Sequence, residues 1–143
     1  MARLEDIETI ENDIESKEQE VEESDNKLEE VNNRLQRIES AIGQLSEDQE
    51  VSQSVEKNQE QAEQEKEQIE QQREQIASEL DNMESQLTEI EDANNQSESV
   101  ISELSGIGED VSEAVEIINN RKQSIENSKN KLNELRNKLR NQG

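Results

Sequence analysis

Carboxylates are the one reactive group this chain holds in quantity. Its 143 residues include 38 Asp and Glu but no histidine, cysteine, aromatic residue or proline. On a helix, carboxylates three or four positions apart share a face, as Glu60, Glu63 and Glu67 do, and such a face collects Ca²⁺ or Mg²⁺ loosely. A specific cation site needs an oxygen-rich loop of the Asp-x-Asn-x-Asp-Gly kind, which the sequence lacks. General acid–base catalysis near neutral pH draws on histidine or on a carboxylate held in an apolar pocket, and every carboxylate here is expected on a wet helical face. Nucleophilic triads need a base such as histidine, and zinc needs histidine or cysteine. Gly106-Ile107-Gly108 has neither the third glycine nor the preceding strand of a dinucleotide-binding turn, and reads as a turn or kink. Asn95-Gln96-Ser97 is a formal N-glycosylation sequon, a match that a chain with 15 Asn and 15 Ser often makes by chance. The expectation is a protein that is not an enzyme and that has no catalytic, metal or cofactor site.

The elements that carry these side chains are legible from the aliphatic spacing. Ile7, Ile14, Val21, Leu28, Leu35 and Ile42 recur every seven residues, and three positions after each come Ile10, Lys17, Ser24, Val31, Ile38 and Leu45. This is an a/d heptad pattern. A second seven-residue series runs from Val55 through Ala62, Ile69, Ile76, Met83, Ile90, Ser97, Leu104, Val111, Ile118, Ile125 and Leu132 to Leu139, and only Ser97 in it is polar. In a chain that is 27% hydrophobic, composition alone does not produce such order. The two series are out of phase, and the change falls in Ile42-Gly43-Gln44-Leu45-Ser46-Glu47-Asp48-Gln49. That stretch reads as a turn, with Gly43 as a left-handed cap and Ser46 with Gln49 as a capping box.

A second interruption has two candidate positions. Asp92-Ala93-Asn94-Asn95-Gln96-Ser97 has loop composition, whereas Gly106-Ile107-Gly108-Glu109-Asp110 offers a glycine cap followed by a new helix start. The first position is slightly preferred. It divides one domain, residues 1–143, into nearly equal helices at about 3–44, 46–93 and 97–141 and places the basic tail beside Glu50 to Glu70. The alternative break at 105–108 gives a shorter last helix packed against residues 72–104. The expected fold is all-α, an elongated antiparallel three-helix bundle or coiled coil; the alternative is a helical hairpin or long helix that forms an intermolecular coiled coil. The heptads resemble the rod segments of long coiled-coil proteins in general, and no motif narrows that likeness to a family.

Charge and pattern bound the function. Residues 1–120 hold 36 Asp and Glu against 8 Lys and Arg, and residues 121–143 hold 2 against 7. An acidic body of this kind repels nucleic acid and anionic membrane, and the tail has no aromatic stacking partners, so neither is an expected partner. No apolar run is long enough for a signal peptide or a membrane span, so a soluble, cytoplasmic protein is expected. Lys17, Ser24, Lys66, Arg73, Asn94 and Ser97 fall at seam-like positions, where polar residues set register. Between residues 100 and 118 the apolar stripe widens through Val100, Ile101, Leu104, Ile107, Val111, Val115 and Ile118, which marks either the densest core or an interaction surface. With so little aliphatic area per residue, a homo-oligomer or a partner helix is expected to complete the burial. The expected function is a structural or protein-interaction module, a self-associating or partner-binding acidic coiled coil acting as scaffold or spacer. The alternative is an acidic chaperone or adaptor for a basic client protein.

Overall fold

The first apolar series becomes one face of a single helix and the second is divided between two, so three helices result: α1 (Leu4–Gln44), α2 (Gln49–Gly106) and α3 (Ser112–Gln142). The computed structural model describes residues 4–142, with side chains from 6 to 140, so the expected helix start at residue 3 lies outside the described residues. The three helices pack on one another as an all-α antiparallel bundle with no strand among the described residues. α1 runs antiparallel to α2, with Asp25 meeting Arg73 and Lys17 meeting Glu79. α3 runs antiparallel to α2, with Lys129 meeting Glu91 and Lys122 meeting Glu98. α1 and α3 are therefore parallel and side by side, joined where Lys131 reaches Glu18.

The first turn sits where the phase changes, but its chemistry differs from the expectation. Gly43 is helical rather than left-handed, and α1 continues to Gln44 because Ile42 and Leu45 still contribute partly buried side chains. The cap of α2 is Asp48, not Ser46: its backbone is extended (φ −114°, ψ 92°) and its carboxylate accepts the Val51 N–H at 3.3 Å. Asp caps a helix about as well as Ser, so the cap falls where the seam allows the helix to begin.

The second break is at the glycines, which corrects the preferred helices ending at 93 and starting at 97. Residues 92–97 are helical; Ser97 Oγ donates back to the Ala93 carbonyl at 3.2 Å, and Asn94 is buried. Gly108 has φ +91°, the left-handed conformation that glycine adopts without a Cβ penalty. Around it the Glu109 N–H bonds the Leu104 carbonyl and the Gly108 N–H bonds the Ser105 carbonyl, both at 3.1 Å, the paired closure of a Schellman motif. α3 then starts with Asp110, whose carboxylate accepts both the Ser112 hydroxyl (2.7 Å) and the Ser112 N–H (3.2 Å). These two bonds hold the Asp110 carboxyl below the usual carboxylate range.

Unequal helix lengths divide the molecule into three zones. In the middle all three helices share a core that includes Ile10, Ile14, Val21, Leu80, Met83, Leu87, Leu132 and Leu135. Beyond it at one end only α1 and α2 continue, around Leu28, Val31 and Ala62 with Leu35, Ile38 and Ile69. At the other end, among the described residues, only α2 and α3 continue, from Asn94 to the Gly108 turn and back to Ile118. α2 alone spans the full length, about 87 Å at 1.5 Å per residue. The accessible surface is 9894 Å², whereas a compact protein of this mass exposes about 7,500 Å², so the molecule is a rod.

Polar residues close the central zone at both ends. Arg73 is buried and donates to Ser24 Oγ (2.8 Å), to Asp25 Oδ1 (2.5 Å) and to the Leu139 and Lys138 carbonyls (2.9 and 3.3 Å). One guanidinium thereby ties three helices together and gives two carbonyls near the end of α3 an additional donor. At the opposite end Asn94 Nδ2 donates to the Ile118 carbonyl at 3.3 Å. The basic tail lies along the middle of α2 and not beside its start: Arg136 pairs with Asp81 and Glu84, and Lys129 with Glu91. Its expected placement beside Glu50 to Glu70 is overturned: with the glycine turn α3 is too short to run along that stretch, and only Arg140 comes level with its last residue, Glu70.

Candidate interaction surface

What the two-helix end presents follows from which positions of α2 and α3 face α1 lower down. Gln86, Glu89 and Ile90 of α2 line a cleft with Asp6, Thr9 and Ile10 of α1. Ser124, Asn127 and Ser128 of α3 line another with Glu11, Ile14 and Glu18. A seven-residue step along a helix returns to nearly the same face. Two steps beyond Gln86 and Ile90 stand Val100 and Leu104; one step before Ser124 stands Ile117, and two before Ser128 stands Ala114. The face that α1 covers in the middle zone therefore continues to the glycine turn as an aliphatic surface.

The residues singled out in the sequence separate on this geometry. Ile118 is buried and belongs to the core, while Ile101 and Val111 are half-buried between α2 and α3. Val100 (55% exposed), Leu104 (37%), Ile107 (75%) and Val115 (42%) face solvent. Val115 occupies the series of Lys122 and Lys129, which pair with the outer flank of α2, so it lies away from the face that α1 uses. Ile117 is also exposed, at 45%, and the heptad reading missed it. Adjacent to Ile118 and off the seam, it gives a signal only once the start of α3 is known. The widened stripe is thus not the densest core, which lies between Ile10 and Leu139 in the middle zone.

Carboxylates dominate the electrostatics of this end. No Lys or Arg occurs between Arg73 and Arg121, while Glu98, Glu103, Glu109, Asp110, Glu113 and Glu116 all fall in the tip. Glu103 and Glu113 stand two seven-residue steps from Glu89 and Asn127, so they flank the α1-facing surface on its two sides. Glu98 is neutralised by Lys122. Elsewhere one cation is drawn into the bundle with a clear electrostatic effect: Lys131 donates to Glu18 at 2.7 Å, a bond that holds the Glu18 carboxyl below its usual range and the Lys131 ammonium above its own. No group of three metal-ligating side chains occurs among the described residues, and none of their helices is long and apolar enough to cross a membrane. Compared with models of known protein families, with curated proteins and with solved structures, the chain matches none, so the aliphatic tip and its acidic border are what a functional reading has to stand on.

Proposed function

We propose that this protein is a non-catalytic interaction module: an acidic three-helix rod that engages a helical protein, itself or another, through the aliphatic surface at its α2–α3 end, and so acts as scaffold or spacer. The observation that supports the reading is the exposure of Val100, Leu104, Ile107 and Ile117 together at one end of the molecule; the other exposed large aliphatic side chains among the described residues are Val115 at the same end and Val51 at the start of α2. Exposed aliphatic side chains clustered on one face mark interaction surfaces, whereas scattered ones do not. A second reading, an adaptor for a basic client, draws on the start of α2, where Glu56, Glu60, Glu63 and Glu67 face solvent with no basic tail against them. Salt separates the two, because contacts made by aliphatic area persist when charges are screened and contacts made by acidic faces do not.

The test compares the wild-type chain with a Val100→Ser/Ile107→Ser/Ile117→Ser variant. Sedimentation velocity at several concentrations reads self-association, and capture from an extract of the source cells reads partners. The expected result is that the variant, with unchanged helicity, loses the self-association or the captured proteins that the wild type shows in high salt. Equal behaviour of the two chains in both assays overturns the reading.

A further inference from the structure

We propose that the open stretch of the α2–α3 face is a docking site for a short basic amphipathic helix of another protein, seated in line with α1. The proposal rests on the interaction-module reading above and names its partner and its place. Geometry supplies the seat. α1 already shows that a helix fits between α2 and α3 on this side, with its apolar positions against Ile90 and Ser128. Beyond the first described turn of α1 the same two walls continue for about three turns of α2, through Val100 and Leu104 on one side and Ala114 and Ile117 on the other. A helix with aliphatic side chains at i, i+3 or i+4, i+7 and i+11 has the spacing this surface reads.

Charge chooses between occupants. Glu103 and Glu113 flank the seat, and Glu109 and Asp110 close its end, with no cation of this chain between Arg73 and Arg121. A second copy would bring the same six acids against these, and Lys129, Lys131 and Arg136 of its tail are already paired along its own bundle with Glu91, Glu18, Asp81 and Glu84. An anionic membrane surface is repelled for the same reason. A helix carrying Lys or Arg on the flanks of an aliphatic stripe meets both walls favourably: the aliphatic contact supplies affinity, and the charges select the partner and speed its arrival. The polar tail of the core is consistent with this boundary, since Asn94 is buried at the level where α1 gives way to the open stretch and its Oδ1 has no hydrogen-bond partner.

The experiment uses the full chain and a fluorescent synthetic peptide of about 14 residues, long enough for the three turns, with Leu at the four stripe positions and Lys and Ala elsewhere. A scrambled peptide of identical composition measures the attraction of any Lys-rich peptide to an acidic protein, and a Glu-for-Lys peptide measures the stripe alone. The expected result is that the amphipathic Lys peptide binds in moderate salt, that Val100→Ser/Ile107→Ser/Ile117→Ser weakens it by about tenfold or more, and that Glu103→Gln/Glu113→Gln weakens it severalfold. The scrambled peptide binds more weakly and equally to all three chains. Hydrogen exchange locates the protected amides within 95–118. Both variants alter exposed side chains, and their thermal melts confirm that the bundle is retained. Binding unchanged by either variant, or protection confined to another part of the rod, overturns the proposal. Self-association of the wild type that the Ser variant abolishes, with no peptide binding, overturns it while the interaction-module reading stands; absence of both defeats the two together.

Discussion

Arg73 shows how one side chain can set the length of a core. Its guanidinium satisfies Ser24, Asp25 and two carbonyls of the last turn of α3, so truncating it leaves buried acceptors and a carboxylate without their donor. Breaking a buried pair by removing one partner costs about 3–5 kcal/mol, and Arg73→Ala is expected to destabilise the bundle by that order, with the amides of residues 135–140 exchanging first; chemical denaturation and hydrogen exchange check both. The Glu18–Lys131 pair is expected to act through pH instead. The lowered Glu18 carboxyl contributes stability that is present above its unfolded value of about 4.3 and is lost as pH falls through the lower folded value. The raised Lys131 ammonium contributes stability that is present below about 10.4 and is lost as pH rises through its higher folded value. The melting difference between wild type and Glu18→Gln should therefore be largest around neutrality and close below about pH 4. Taking the difference cancels the relief of repulsion that protonating 38 acids brings to both chains. At this scale the sequence was informative: Arg73, Ser24 and Asn94 stood out as polar residues on an apolar seam, and all three are buried.

Between elements, the two turns differ in how plainly the sequence announced them. The first coincides with a phase change in the heptad, so its position could be read although its capping residue could not. The second does not: the step from Leu104 to Val111 is seven residues, the same as every other step in its series, so the apolar pattern passes through the turn unmarked. The loop-like composition of residues 92–97 then competed with the glycines, and it misled because Asn94 serves as a core amide bonded to the Ile118 carbonyl. Which break is real decides whether Val100 to Ile117 is buried or open, and for that reason the stripe was visible in the sequence but its exposure was not. The two glycines make the distinction testable. Gly106 is helical with open space around its Cα, so Gly106→Ala should stabilise the chain by about 0.4–1 kcal/mol. Gly108 has φ +91°, and Gly108→Ala should destabilise it by about 1–2 kcal/mol. Equal effects in denaturant titrations would contradict the turn geometry.

Across the whole molecule, the arrangement of zones predicts a gradient of local stability. Amides between Ile76 and Leu87 and between Ile125 and Leu135 sit in the three-helix core and should exchange slowest, near the global unfolding limit. Those of the α1–α2 end and of residues 95–118, each supported by one neighbouring helix, should open at lower free energy. A uniform exchange profile would argue against the two-helix ends.

The overlap of three helices of different length also decides how the rod bears load. The first described turn of α1 lies beside Ile90 and the last of α3 beside Arg73, so the two attachment points are separated by about 25 Å along α2. Tension applied through them draws α1 toward the Gly108 turn and α3 toward the Asp48 turn, each along its own axis. Every contact of each helix with α2 then resists sliding at once, whereas tension between the two strands of either protruding hairpin would peel them one turn at a time. In a force-spectroscopy experiment the chain pulled from residues 6 and 140 should yield at a higher force than the same chain pulled from residues 36 and 57.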